Sequence, residues 1–287
     1  MNVYDPIMLF NKLSSNNCEI NKCFQFGKHI GGKLSEIVEF TYNDTKFNFF
    51  RTKTNSNIHF HIYPNDDDER NDYCVYIIFD FSERIIRLDL IAYNGQCFKI
   101  EHHKKFGKDN CKGSLLLKMA ISFIKRVNEK YKIKYITLRD TSYMKCRSVK
   151  ISLGRMSILM DGNTWYGRYG FVPQQDFEYK IDEQLLKKYK ENIKIIKKSL
   201  VSDISNFKMY LKKIIYDKAN EKYIKNIDTD ILLKSIDKFQ NKKISWFMKE
   251  IIIEYDKSCY LFYLIYDKIF NDLGLYNFTG KSFIIIL

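Results

Sequence analysis

Two stretches of this chain hold residue types whose spacing can do chemistry. The first, GKDNCKGS at residues 107–114, sets small and charged residues between a predicted strand ending near His102 and a predicted helix beginning at Ser114. A phosphate needs several backbone N–H donors converging on it. A turn running into a helix N-terminus supplies them, with the favourable end of the helix dipole. Lys104, Lys105, Lys108 and Lys112 bring positive charge to the same place, and Ser114 can cap the helix. The second stretch, WYGRYGF at residues 165–171, gathers Trp165, Tyr166, Tyr169 and Phe171. By itself it reads as a core aromatic cluster whose hydroxyls find partners.

The elements that must position these stretches follow from hydrophobic period. SEIVEFTYNDTKFNFFRT reads as two strands about an Asn43-Asp44 turn, and NIHFHIYP alternates with period two. After the acidic run PNDDDERND come CVYIIFDF, RIIRLDLIAY and QCFKIEHH, the last two joined by Asn94-Gly95, a strong hairpin signal. Residues 36–102 therefore predict a mainly antiparallel meander. From Ser114 to Lys130 the apolar residues Leu116, Met119, Ala120, Phe123, Ile124 and Val127 fall at helical spacing, and KIKYITLRD returns to strand. Strand, loop, helix, strand implies a right-handed crossover between parallel strands. Beyond residue 181 the text is helical, with lysines between apolar residues at three- and four-residue steps. This places a domain boundary near Asp182: residues 1–181 form a mixed α/β (α+β) domain and 182–287 an all-helical region. The ending KSFIIIL is β-like and suited to an edge strand.

Composition bounds the rest. The chain has 287 residues, 45% hydrophobic and 16% aromatic, which describes a globular protein rather than a disordered one. Heavy use of Lys, Ile, Asn and Tyr is what an AT-rich genome, such as that of a large DNA virus or a protist, encodes. The net charge of +14 is uneven: −2 over residues 1–100, +11 over 101–160, −1 over 161–180 and +6 over 181–287. Coding bias alone would not load sixty residues so heavily, so an anionic partner is expected there, either a phosphorylated cofactor or nucleic acid. The seven cysteines are odd in number and form no CxxC pair, several lie in apolar runs, and a reducing, intracellular (cytoplasmic) setting is expected. MNVYDPIMLF lacks the pattern of a signal peptide, and the most apolar region, near 246–270, is broken by charges, so no membrane span is expected.

The order of β-hairpin, strand, loop, helix, strand and an aromatic WYxxYGF resembles the GNAT N-acetyltransferase superfamily over roughly residues 75–180. Aligned on GSLLLKMAI, Lys108 takes the Arg/Gln position of the family's acetyl-CoA signature, Cys111 its first glycine and Gly113 its second. Two of those three positions depart from the pattern. The resemblance implies a GNAT-like, mostly antiparallel sheet with a β-loop-α crossover. It implies acetyl-CoA as co-substrate, held by Lys108, Asp109, Asn110, Cys111, Lys112, Gly113 and Ser114. It also implies direct acetyl transfer to a primary amine, with Tyr166 protonating the leaving thiolate. Such transfer needs a carboxylate to take the amine proton. Glu101, on the face of a predicted strand shared with Lys99, is the first choice, then Asp140, then Asp89. His59 and His61 share a strand face but lack a downstream ligand pair at metal spacing, so no metal is assigned. The acceptor stays open, the acidic run at 66–72 favouring a cationic amine. A second reading is an inactive GNAT-like binding protein that contacts nucleic acid or a protein through its basic surface.

Overall fold

The computed structural model describes residues 24–25, 29–30, 33–34, 36–63, 73–93, 96–107, 112–146, 149–176, 178–221, 228–253 and 260–287. The chain divides into two compact units, residues 1–138 with 284–287, and residues 139–283.

The first unit is a sheet with helices. Its strands are β1 (Phe24–Gln25), β2 (Glu36–Tyr42), β3 (Thr45–Lys53), β4 (Asn57–Ile62), β5 (Val75–Asp80) and β6 (Ile85–Ile91), followed by α1 (Ile100–Phe106), α2 (Gly113–Tyr131) and β7 (Tyr135–Arg139). Strands β1 to β6 pair antiparallel in chain order, and β7 lies parallel to β6 after the α2 crossover. The predicted turn is present: Tyr42 pairs Thr45, and Asn43 and Asp44 both take positive φ (47° and 57°), the conformation of a type I′ hairpin turn. One sheet face packs on α2 through Phe40, Phe49, Phe60, Phe79 and Phe123. Each buried ring contributes about 1.5–3 kcal/mol. Helix α2 stops where Lys132 turns left-handed (φ 54°) and the Asn128 side chain accepts from Ile133 N–H and donates to its carbonyl.

Residues 96–103 correct the sequence reading. The expected strand QCFKIEHH is instead an irregular stretch leading into α1. Two long-range ties outcompete strand pairing. Cys97 is disulfide-bonded to Cys74, just before β5. His102, 3% exposed, accepts from Lys99 N–H at Nδ1 and donates from Nε2 to Lys46 carbonyl at 3.0 Å, which closes the first turn of a helix. The one aliphatic residue of the stretch, Ile100, is 76% exposed. Asn94-Gly95, read as its hairpin turn, lies outside the described residues. The disulfide also departs from the expectation of a reducing setting for the cysteines; Cys146 is disulfide-bonded too. Nothing in the spacing of Cys74 and Cys97 foretells a Cα separation of 5.7 Å.

The second unit opens with a hairpin, β8 (Tyr143–Cys146) and β9 (Val149–Ser152), then α3 (Leu153–Asp161) and the short β10 (Val172–Pro173). Helices α4 (Glu183–Lys198), α5 (Phe207–Ile215), α6 (Thr229–Lys238), α7 (Ile244–Phe247, continued by a π-helical turn at Met248–Ile253) and α8 (Tyr260–Asp272) follow. Asp182 and Asp228 cap α4 and α6 by accepting from Leu185 and Ile231 N–H. The final strand, β11 (Ser282–Ile286), does not sit at an edge. In the first unit its Ile284–Ile286 lie beside β7, with Leu287 N–H donating to Lys134 carbonyl. In the second its Ser282 carbonyl accepts from Gln174 N–H, next to β10. A mixed α/β chain with a large, mostly antiparallel sheet results. Among the described residues no helix is long and apolar enough to cross a membrane.

Candidate active site

In the first unit the chemistry gathers where two parallel strands part. β6 and β7 pair at Ile85–Tyr135, Ile86–Ile136 and Arg87–Thr137, and there the pairing stops, although β6 runs on to Ile91. Just past the split, Tyr76 of β5 pairs Leu90 and Ile77 pairs Leu88, so Asp89 is the extra residue of a β-bulge. A bulge bends and twists its strand and leaves backbone groups unpaired. Beyond Arg87–Thr137 the backbone N–H and C=O groups on that edge of β6 have no strand partner among the described residues.

Asp89 is suited to proton chemistry. Its side chain is 42% exposed, so a substrate can reach it. Partial burial holds its carboxyl above the usual carboxylate range, against the opposing pull of Arg87 and His59. Arg87 Nε stands 3.9 Å from Asp89 Oδ1, and its Nη1 stands 3.6 Å from Asp80 Oδ2. On the same face His59 Nδ1 and the Tyr76 hydroxyl are 2.8 Å apart. His61, 5% exposed among Phe50, Tyr63, Tyr73 and Tyr76, is pushed down to about 4, first by burial and then by His59.

The expected phosphate loop is seen at its helix end. Lys112 is the N-cap of α2, Gly113 its first residue and Ser114 its second, so Ser114 is not the cap that the sequence suggested. Among the described residues no side chain caps this end. The first intrahelical donors are Leu115 and Leu116 N–H, both to Lys112 carbonyl, so Gly113 and Ser114 N–H point out of the helix end. Lys108, Asp109, Asn110 and Cys111 lie outside the described residues. Glu101 sits on α1, not on a strand. Its side chain is 65% exposed, with His102 Nε2 at 3.8 Å, so the strand-face argument for it fails.

Tyr166 belongs to the second unit and is 7% exposed. Trp165 and Phe171 pack edge-on to its ring at centroid distances of 4.8 and 6.0 Å. Burial, reinforced by the charge of Asp140, raises its phenol above the ordinary tyrosine value, so it stays protonated. Asp140 is fully buried. Its Oδ1 accepts from Ser142 N–H at 3.2 Å and Ser142 Oγ–H at 2.5 Å, while Oδ2 has no partner among the described residues. Burial raises its carboxyl, Ser142 opposing. A Cβ on Gly154 would stand 2.6 Å from Oδ2, and a Cβ on Gly167 would overlap the Tyr189 hydroxyl and Asn163 Oδ1. Both glycines are set by close packing. The stretch read as a lid or longer helix between TLRD and TWYG is the β8–β9 hairpin followed by α3.

No protein-family model matches the chain, and no curated protein or solved structure matches it. The site is therefore read from its own geometry. Asp89 ranked third among the carboxylates in the sequence because the bulge that singles it out is a two-strand property. Its one local signal is an acid between Leu88 and Leu90 in an otherwise apolar run.

Proposed function

We propose that the chain is an acyl-CoA-dependent N-acyltransferase of GNAT type, which moves an acetyl group from acetyl-CoA to a primary amine by direct attack. The observation that carries this reading is the parting of β6 and β7 after Arg87–Thr137, with Asp89 bulged at the split. The open edge of β6 offers amide donors and acceptors to an amide-bearing pantetheine arm. The N-terminal end of α2 at Gly113 and Ser114, with Lys112 beside it, offers N–H groups and positive charge to a pyrophosphate. The order of antiparallel strands β1 to β6, the α2 crossover and the parallel strand β7 also accords with the resemblance.

Acetyl-CoA supplies the activated acyl group as a thioester. Asp89 takes the proton that the attacking amine must lose, and its raised carboxyl pKa brings it closer to the amine's own range, which favours that transfer. Arg87 draws the Asp89 carboxyl back toward its charged form against the effect of partial burial. Tyr166, held as a phenol, is the group the resemblance names to protonate the departing thiolate.

The test is turnover of acetyl-CoA with a panel of amines that includes a polyamine and a lysine peptide, followed by mass spectrometry of the acceptor. An acetylated amine that disappears with Asp89→Asn supports the reading. A folded protein that acetylates none of them and does not bind acetyl-CoA refutes it.

A further inference from the structure

Helix α4 presents a row of unpaired positive charge. Its buried face is Tyr189, Asn192 and Ile196, at spacings of three and four. On its outer face Lys187, Lys190, Lys194, Lys197 and Lys198 are all exposed. Lys187, Lys190, Lys194 and Lys197 stand three or four residues apart, with Lys198 next to the last, which places like charges beside one another along a helix and is unfavourable in isolation. Elsewhere in the same unit several cations have carboxylate partners: Arg155 with Asp267, Arg168 and Lys249 with Asp161, Lys208 with Asp237, Lys268 with Asp272. No ion pair with a described carboxylate relieves the α4 row. Leu200 bridges Lys243, whose Nζ donates to Lys198 carbonyl, so Lys242 and Lys243 extend the positive surface at the C-terminal end of the helix.

We infer that this row is a binding surface for the phosphate backbone of nucleic acid. From Lys187 to Lys198 it runs about 16 Å at about 1.5 Å rise per residue. Over that length a duplex carries a charge about every 1.7 Å of its axis. Lysine, a compact point charge on a flexible stem, suits phosphates without demanding a base sequence. A membrane-lying helix would set apolar side chains beside its lysines. Here Tyr189 and Ile196 are buried, and no residue at an exposed position of α4 is apolar. This inference does not depend on the acyltransferase reading.

Fluorescence anisotropy of the full-length protein with a labelled 20-base-pair duplex of arbitrary sequence, from 50 to 200 mM KCl, tests it. Four or five contacts predict a log–log salt slope of roughly −4 and a loss of affinity of about 10²-fold across that range. The triple variant Lys190→Gln, Lys194→Gln, Lys197→Gln should flatten the slope by about 2–3. The control Lys130→Gln, Lys132→Gln, Lys134→Gln, which removes equal charge from the first unit, should leave it near the wild-type value. Circular dichroism melts establish that both triples fold. Absent binding at micromolar protein in 50 mM KCl, equal weakening by the two triples, or tighter binding to phosphatidylserine vesicles than to the duplex would each overturn the inference.

Discussion

Asp89 in the first unit and Asp140 in the second are both aspartates whose burial raises the carboxyl, yet their surroundings differ in kind. Asp89 is 42% exposed on a bulge beside an open strand edge, with Arg87 at 3.9 Å and an aromatic and histidine face nearby. Asp140 is fully buried and its backbone is bonded on both sides, N–H to Lys281 carbonyl and carbonyl from Gly280 N–H. Ser142 holds one of its oxygens and Gly154 lies against the other. A raised pKa alone does not mark a catalytic acid or base. Access to a substrate separates the two, and only Asp89 has it.

The sharpest way to break this contrast is Asp89→Asn. It should lower kcat/KM for acetyl transfer by roughly 10²–10⁴ and leave the melting temperature nearly unchanged, because an exposed substitution shifts stability by about 0.5 kcal/mol or less. Wild-type turnover should fall as pH drops through the raised carboxyl pKa of Asp89, an acid limb that the variant lacks. Steady-state kinetics across pH checks both. Reduction of Cys74–Cys97, which closes a loop of 23 residues' separation ahead of β5 and after β6, should cost about 3 kcal/mol in chemical denaturation. Cys97→Ala should reproduce that loss without reductant.

His61 and Asp140 supply opposite pH signs, one in each unit. The folded pKa of His61 is depressed to about 4. Its contribution is fully present above the unfolded value near 6.5 and is lost as pH falls toward 4, reaching about 3 kcal/mol. His61→Phe should flatten that limb in urea titrations between pH 7 and 4. Asp140, whose folded pKa is raised, binds its proton more tightly folded than unfolded. Its effect therefore stabilises on acidification and weakens as pH rises, and Asp140→Asn should remove it. The smallest effect expected is Gly154→Ala, which presses a methyl on Asp140 Oδ2. A loss of about 1–3 kcal/mol of stability, read by thermal melting, would mark that carboxylate as tightly packed.

How much of this was legible in the sequence follows the range of the interactions. The Asn43-Asp44 turn, the apolar stripe of α2 and the Asp182 cap act within one turn or hairpin, and each could be read from neighbours alone. The exposed lysines of α4 could be read the same way. The Asp89 bulge, the parting of β6 from β7 and the Cys74–Cys97 bond depend on strands or side chains far apart in sequence. The period-two reading of QCFKIEHH failed for the same reason: His102 found a carbonyl at Lys46. Tyr166 was singled out by its motif, but its burial beside the charge of Asp140 needed the structure.

The central claim is that the gap after Arg87–Thr137 receives a CoA thioester, and hydrogen–deuterium exchange with and without acetyl-CoA tests it most directly. The account predicts slowed exchange at residues 88–91 and at residues 113–114, the first facing the parted strand and the second opening α2. Unchanged exchange at both places at millimolar acetyl-CoA, in a protein that stays folded, would contradict it.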